Sequence, residues 1–254
     1  MIDYEKVTEI VKGAKKFVVD STLREQIEIK GEADFVTGVD LMISNYIKEE
    51  LLRLDSEIGF MSEEEDCKFL PQKRWILDPI DGTTNLIFDY RLSSVSLALL
   101  DDGKIVFGVV YNPFNDDIFT AIKDRGAFLN GKRIHCIDRE PSNSLIEFGA
   151  GSTRKNEAKE IFKIAEAVFE ESLDIRRICS TALSICFVAS GRINGYFEKR
   201  IKPWDYAAAS LILTEAGGKI TEWNQTELQY DMPTGVICGS PKAYEFLIRK
   251  IHGD

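Results

Sequence analysis

The run Trp75-Ile76-Leu77-Asp78-Pro79-Ile80-Asp81-Gly82-Thr83-Thr84-Asn85 constrains this chain more than any other stretch. Trp75 to Leu77 is a short apolar segment that predicts a buried strand, and it ends in two acids separated by Pro79 and Ile80. Pro79 fixes its own φ and holds Asp78 extended, while Gly82 permits a sharp turn. Thr83, Thr84 and Asn85 add helix-capping chemistry, so amides at this helix start face back toward the acids. Two carboxylates beside such amides describe a place for a divalent cation and a phosphate. A lone Asp-x-x-Asp is more often a strand-turn-helix corner with capping acids. The full eleven residues are far more specific.

The chain has 254 residues, enough for a large core in one unit or two joined halves. Apolar residues make up 44% and charged residues 29%, as in soluble globular proteins. A formal charge of −10 argues against nonspecific binding to nucleic acid or an anionic membrane. It leaves room for an anionic small substrate, because bound cations reverse the sign locally. The five cysteines (Cys67, Cys136, Cys179, Cys186, Cys238) are odd in number, scattered and free of C-x-x-C pairs, which suits reduced, mostly buried thiols. The N-terminus reads as an amphipathic helix and not a signal peptide, and no apolar run approaches membrane-spanning length. A cytoplasmic location is the expectation.

Val7, Ile10, Val11, Ala14, Phe17 and Val18 recur at helical spacing, and a second helix is predicted from near Asp40 to Leu54. Strands are predicted at 93–100, 105–111 and 118–121, with turns at Asp101 to Lys104 and at Asn130-Gly131. The C-terminal part alternates: strands at 145–148, 175–178, 195–197 and 236–238, with helices at 157–171, 181–189, from Asp205 to Ala216, and near the end. The expected organisation is an α/β (α+β) fold in which an N-terminal half, 1–140, and a C-terminal half, 141–254, form one compact unit.

Further acids are candidates for the same site. They are Asp40 and Asp205, each of which also suits a helix N-cap, and Glu63 or Glu64 in the run Glu63-Glu64-Glu65-Asp66. Ala207-Ala208-Ala209 allows the helix after Asp205 to pack closely and fix that carboxylate. Oxygen-only ligands without His or Cys indicate a hard ion, Mg²⁺ before Ca²⁺. Only His135 and His252 are present, in no motif, so a histidine-based triad is not expected. Gly149-Ala150-Gly151-Ser152-Thr153-Arg154 is a weak dinucleotide fingerprint and reads better as a polar turn near substrate.

Several segments together resemble the inositol monophosphatase family of the lithium-sensitive, Mg²⁺-dependent phosphatase superfamily. Asp34 to Asp40 looks like its D-x-V-T-x-x-D segment, Ser62-Glu63-Glu64 like G-E-E, and Trp75 to Asn85 matches W-I-x-D-P-I-D-G-T-T-N in full. Trp204-Asp205-Tyr206-Ala207-Ala208 with Glu215-Ala216-Gly217-Gly218 is similar to the second signature. The resemblance implies a layered αβαβα sandwich, a homodimer, and two to three Mg²⁺ ions, with Mn²⁺ as substitute. Glu64, Asp78 and the Ile80 carbonyl would bind one ion, and Asp78, Asp81 and Asp205 a second. Asp40 and Glu64 would help hold a weaker third. Thr83, paired with Asp40, would activate the attacking water, and the Gly82 and Thr83 amides would hold the phosphate. Ser180, Thr181 and Glu198 are the expected substrate contacts, with Glu198 accepting hydroxyls of a cyclitol or sugar. The expected reaction is hydrolysis of inositol monophosphate or a related sugar phosphate without a phosphoenzyme. Fructose-1,6-bisphosphatase, a 3′-phosphoadenosine 5′-phosphate phosphatase and a non-enzymatic regulatory module held together by metal are the alternatives. The sequence departs from the family pattern at Ser62, at Cys179-Ser180-Thr181-Ala182, and between Leu86 and Ser93. Lys199, Arg200 and Lys202 add positive charge near Glu198.

Overall fold

The computed structural model describes residues 2–19, 27–31, 34–65, 70–151 and 155–253, of which 27–31 and 34–36 are described by backbone alone. Helices α1 (Tyr4–Gly13) and α2 (Lys15–Val18) are followed by an antiparallel pair, β1 (Ile27–Gly31) and β2 (Asp34–Thr37), and by helix α3 (Gly38–Leu54). Helix α3 starts two residues before the predicted position. Thr37 is its N-cap and accepts the Val39 amide, while Asp40, three residues on, takes the Thr37 amide at 2.8 Å. Asp40 therefore caps from inside the first turn.

The larger sheet contains β3 (Gly59–Ser62), β4 (Arg74–Asp81), β5 (Ser94–Asp101), β6 (Lys104–Asn112), β7 (Asp117–Ile122), β8 (Ala127–Leu129) and β9 (Lys132–Ile134), in sequence order. Only β3 and β4 run parallel; the remainder pair as antiparallel neighbours. A short helix, α4 (Thr83–Ile87), follows β4. The second sheet combines β10 (Leu145–Phe148), β11 (Asp174–Arg176), β12 (Gly195–Ile201), β13 (Lys219–Glu222) and β14 (Thr234–Gly239), ordered β11-β10-β12-β14-β13. Its helices are α5 (Ala158–Phe169), α6 (Thr181–Ala189), α7 (Pro203–Glu215) and α8 (Pro241–His252). Two strands depart from expectation. The predicted strand at 175–178 stops at Arg176, before the left-handed turn at Cys179 (φ 58°), and β12 continues to Ile201 by pairing Glu198 with Val236.

Alternation along the strands sets the layers. Trp75, Leu77, Val95, Leu97, Phe107 and Val109 pack against Val7, Ile10, Val11, Ile43, Ile47 and Leu51 of α1 and α3. The opposite face, through Ile76, Ala98 and Val110, meets α6 and α7, which in turn meet Tyr196, Val236 and Cys238 of the second sheet. Ile146, Phe148, Phe197 and Ile237 face outward onto α5 and α8. The result is helices, sheet, helices, sheet, helices: the expected αβαβα sandwich. No helix among the described residues is long and apolar enough to cross a membrane. Cys136, Cys179, Cys186 and Cys238 are free thiols, with Cys179 exposed, and Cys67 lies outside the described residues.

The central helix α7 lies almost on the backbone of β6. A Cβ added at Gly108 would stand 2.6 Å from the Ala208 carbonyl oxygen and 3.1 Å from its Cα. The small residues of α7 and the glycine beneath them are thus one packing device. Gly108→Ala should destabilise the fold by about 1–3 kcal/mol through overpacking against backbone that has no rotamer to give. Urea denaturation of the two proteins measures it, and an unchanged midpoint would refute the close approach.

Candidate active site

Two acids three residues apart on a regular strand point to opposite faces, yet Asp78 and Asp81 share one. The β4–β5 register shifts between Asp78 and Asp81, as in a β-bulge. Before the shift, Ile76 faces the central helices and Leu77 faces α3; after it, Ile80 faces α3. The parity has changed, and Asp81 joins Asp78 on the central side. Pro79 sits inside the irregularity, where a missing ladder donor is tolerated.

Asp81 reaches the start of α6. Its Oδ1 accepts the Thr181 amide at 3.1 Å, and its Oδ2 accepts the Ala182 amide at 2.9 Å and the Ser180 hydroxyl. Ser94 Oγ lies 3.4 Å from the same oxygen. Asp81 is therefore the cap of a helix a hundred residues away, and the positive end of that helix favours its charge. Ser180 is buried with its hydroxyl committed to Asp81, which differs from the expected contact with substrate. The Thr181 hydroxyl turns to Glu198 Oε2 at 3.0 Å.

Asp205 is the third residue of α7 and takes the Lys202 amide at 2.7 Å, so it caps from within the first turn just as Asp40 does. Gly82 adopts φ 88°, and a Cβ there would meet the carbonyl oxygens of Cys179 and Leu92 at 3.2 Å. Asn85 closes this turn by donating to Leu92 O and Ile178 O. The Thr83 hydroxyl lies between Ile80 O (3.1 Å) and Asp40 Oδ1 (3.3 Å). This is the expected Thr83–Asp40 pairing.

The acids act on one another. Burial holds the Asp78 carboxyl well above the ordinary carboxylate range, and the charges of Glu63, Asp81, Asp205 and Asp40 add to it. Asp205 is raised by burial and then Glu63, against the Lys202 amide. Asp81 is pushed to about 6 by burial, despite the Ser180, Ala182 and Thr181 donors. Asp40 also stands at about 6, from burial opposed by Thr37 and reinforced by Glu64. The two candidate glutamates thus divide by their charge: that of Glu63 acts on Asp78 and Asp205, and that of Glu64 on Asp40. Asp66 lies outside the described residues.

Asp78 Oδ1 is buried and finds no hydrogen-bond partner among the described residues. An orphaned carboxylate oxygen amid oxygen donors fits a hard divalent cation. Among the described residues no three of these groups yet converge into a finished ligand cage. Asp81 is instead held by the first amides of α6, and Asp205 by the Lys202 amide at the start of its own helix.

Sequence reasoning missed the roles of Tyr196 and Gly149. The Tyr196 phenol donates to Glu198 Oε2, and Gly149 lies against the Glu198 carboxylate. The period of two along β12 places Tyr196 and Glu198 on one face and was the available signal. His135 and His252 take no part in the site: His252 packs edge-on to Trp223.

Both Asp40 and Asp81 have folded-state values near 6, above the ordinary value of 3.8. Their contribution to stability is fully present below pH 3.8 and is lost as pH rises through 6. In EDTA, the denaturation midpoint should therefore fall across this window, and Mg²⁺ should restore it more at pH 7.5 than at pH 5. A Mg²⁺ effect that is equal at the two pH values would contradict this assignment of the cluster.

Residues 3–253 match the model of the inositol monophosphatase family. An inositol-1-monophosphatase of Rhizobium meliloti is 37% identical over 78% of this chain and 75% of its own. Nus factor SuhB of Salmonella typhimurium is 32% identical over 89% of this chain and 85% of its own. The crystal structure of extragenic suppressor protein suhB from Bartonella henselae superposes with a TM-score of 0.91 at 31% identity, covering 98% of each chain. With its two signatures, its five layers and these relatives in agreement, the chain belongs to the inositol monophosphatase family.

Proposed function

We propose that this chain is a Mg²⁺-dependent phosphomonoesterase acting on inositol monophosphate or a related sugar phosphate. The observation that carries this is the Asp78 carboxylate, buried with one oxygen orphaned and raised by burial and by the charges of Glu63, Asp81 and Asp205. The family is generally Mg²⁺-dependent, and the oxygen-only donors suit that ion. Glu63, in place of Glu64, would join Asp78 and the Ile80 carbonyl around one ion. Asp78, Asp81 and Asp205 would hold a second, and Glu64 with Asp40 would support a third. When bound, such ions lower the pKa of water and offset the charge of a phosphate beside the acids.

The chain's own residues supply the remainder. Asp40 holds the Thr83 hydroxyl, which orients the attacking water and passes its proton toward the Asp40 carboxylate. The amides of Gly82 and Thr83 hold the phosphate oxygens. Glu198 accepts hydrogen bonds from hydroxyls of the alcohol portion. Lys199 is paired with Glu160 at 2.5 Å, which reduces the positive charge a second phosphate would need. That favours a monophosphate over fructose 1,6-bisphosphate or 3′-phosphoadenosine 5′-phosphate. Phosphate release from the three substrates, compared as kcat/KM, tests the order. A cytoplasmic homodimer is the setting we propose, supported by the exposed Phe88 and Tyr90 after α4.

The relatives named as Nus factors favour a second function, regulation through a protein partner. A purely regulatory chain would show Mg²⁺-dependent stability with no turnover of any phosphomonoester.

Asp205→Asn separates the two. Asn keeps an acceptor for the Lys202 amide and removes one repelling charge, so the metal-free variant should melt at the unmutated temperature or above it. Turnover should fall on the order of 10²–10³-fold, as when one preorganised electrostatic group is removed. Unmutated activity in a folded Asp205→Asn protein would refute the site.

A further inference from the structure

Glu198 is held in place from three sides. The phenol of Tyr196, a side chain only 3% exposed, donates to Glu198 Oε2. Thr181 Oγ1 lies 3.0 Å from the same oxygen and 3.1 Å from the phenol oxygen. Burial, followed by the Glu198 charge, keeps the phenol far above its ordinary pKa, so it remains a donor. The third side is backbone. The Gly149 amide donates to Phe197 O at 2.9 Å, and a Cβ at 149 would stand 2.1 Å from Glu198 Cδ and Oε2 and 2.5 Å from Oε1. The backbone of Gly149 is not left-handed, so its lack of a side chain serves the carboxylate above it and not a turn.

A glutamate on an open rim has several rotamers, and a swinging carboxylate discriminates poorly between substrates. This one is seated on backbone with one oxygen doubly held. The residue that holds it, Thr181, also gives its amide to Asp81. The first turn of α6 therefore sets the spacing between a cation-facing acid and a hydroxyl-facing acid that come from different sheets.

We propose that Tyr196 and Gly149 are positioning residues that fix the Glu198 carboxylate, and that this clamp selects phosphate esters of polyols over esters lacking a neighbouring hydroxyl. The proposal rests on the phosphatase function above and adds the source of its selectivity. Tyr196→Phe removes one donor while keeping the ring, and Gly149→Ala pushes the carboxylate off its seat by an independent route.

The test compares myo-inositol 1-phosphate with p-nitrophenyl phosphate, at saturating Mg²⁺, for the unmutated enzyme and both variants. On the inositol ester, kcat/KM should fall tenfold or more, mainly through KM, as for loss of a hydrogen bond to a charged group. On p-nitrophenyl phosphate it should change less than about twofold, because no hydroxyl reaches the clamp. A role in folding alone would lower both substrates together, and that outcome overturns the proposal. So does an unmutated ratio of the two substrates in both variants. An unmutated enzyme inactive on both esters would instead remove the phosphatase function, and the clamp's role in selectivity with it.

Discussion

Three helices begin at this site, and each begins on an acid. Asp40 holds the first turn of α3, Asp205 that of α7, and Asp81, arriving from β4, that of α6. The unpaired amides of a helix N-terminus carry partial positive charge, and three such ends converge here. They offset part of the cost of burying several carboxylates together. Burial, with the repulsion of neighbouring acids added to it, still leaves Asp78 and Asp205 far above the ordinary carboxylate range.

The bulge in β4 is what directs this charge to one place. A regular strand would send Asp81 to the α3 side of the sheet, away from Asp78 and into an apolar layer. One shift of register turns it toward α6, and the same shift leaves Ile80 buried against α3. Gly82 then turns the chain at φ 88°, where a Cβ would be strained and would stand 3.2 Å from two carbonyl oxygens. Local backbone geometry over five residues thus determines how two distant sheets meet.

Much of this was legible in the sequence. The signature from Trp75 to Asn85 declared a strand, a turn and a helix start, and the alanines after Asp205 declared a close-packed helix. The sequence pointed to Asp40 and Asp205 as N-caps, but both are third-position caps. The residue that begins a helix is set by hydrogen bonding, and side-chain type alone does not reveal it. The Glu63 and Glu64 pair was ambiguous because the turn after β3 decides which of two identical side chains faces Asp78. Ser180 was read as a substrate contact, whereas its hydroxyl is turned inward to Asp81. That interaction depends on packing between residues a hundred positions apart. The Tyr196–Glu198 pairing follows from strand periodicity, but its meaning depends on Gly149, just past the end of the neighbouring strand β10.

Asp78 differs from the acids that hold helix starts in one respect: its carboxylate caps no helix, and one of its buried oxygens has no hydrogen-bond partner among the described residues. Asp40, Asp81 and Asp205 would be retained by any descendant that needed its helices anchored, whether or not it hydrolysed anything. Asp78 anchors nothing, and in the absence of cations it is a burden on the fold. A lineage that exchanged turnover for a purely architectural role would gain stability by replacing it with a neutral residue. In this chain that burden is carried by a single buried oxygen, which makes Asp78 the acid whose cost to the fold a bound cation would relieve most directly.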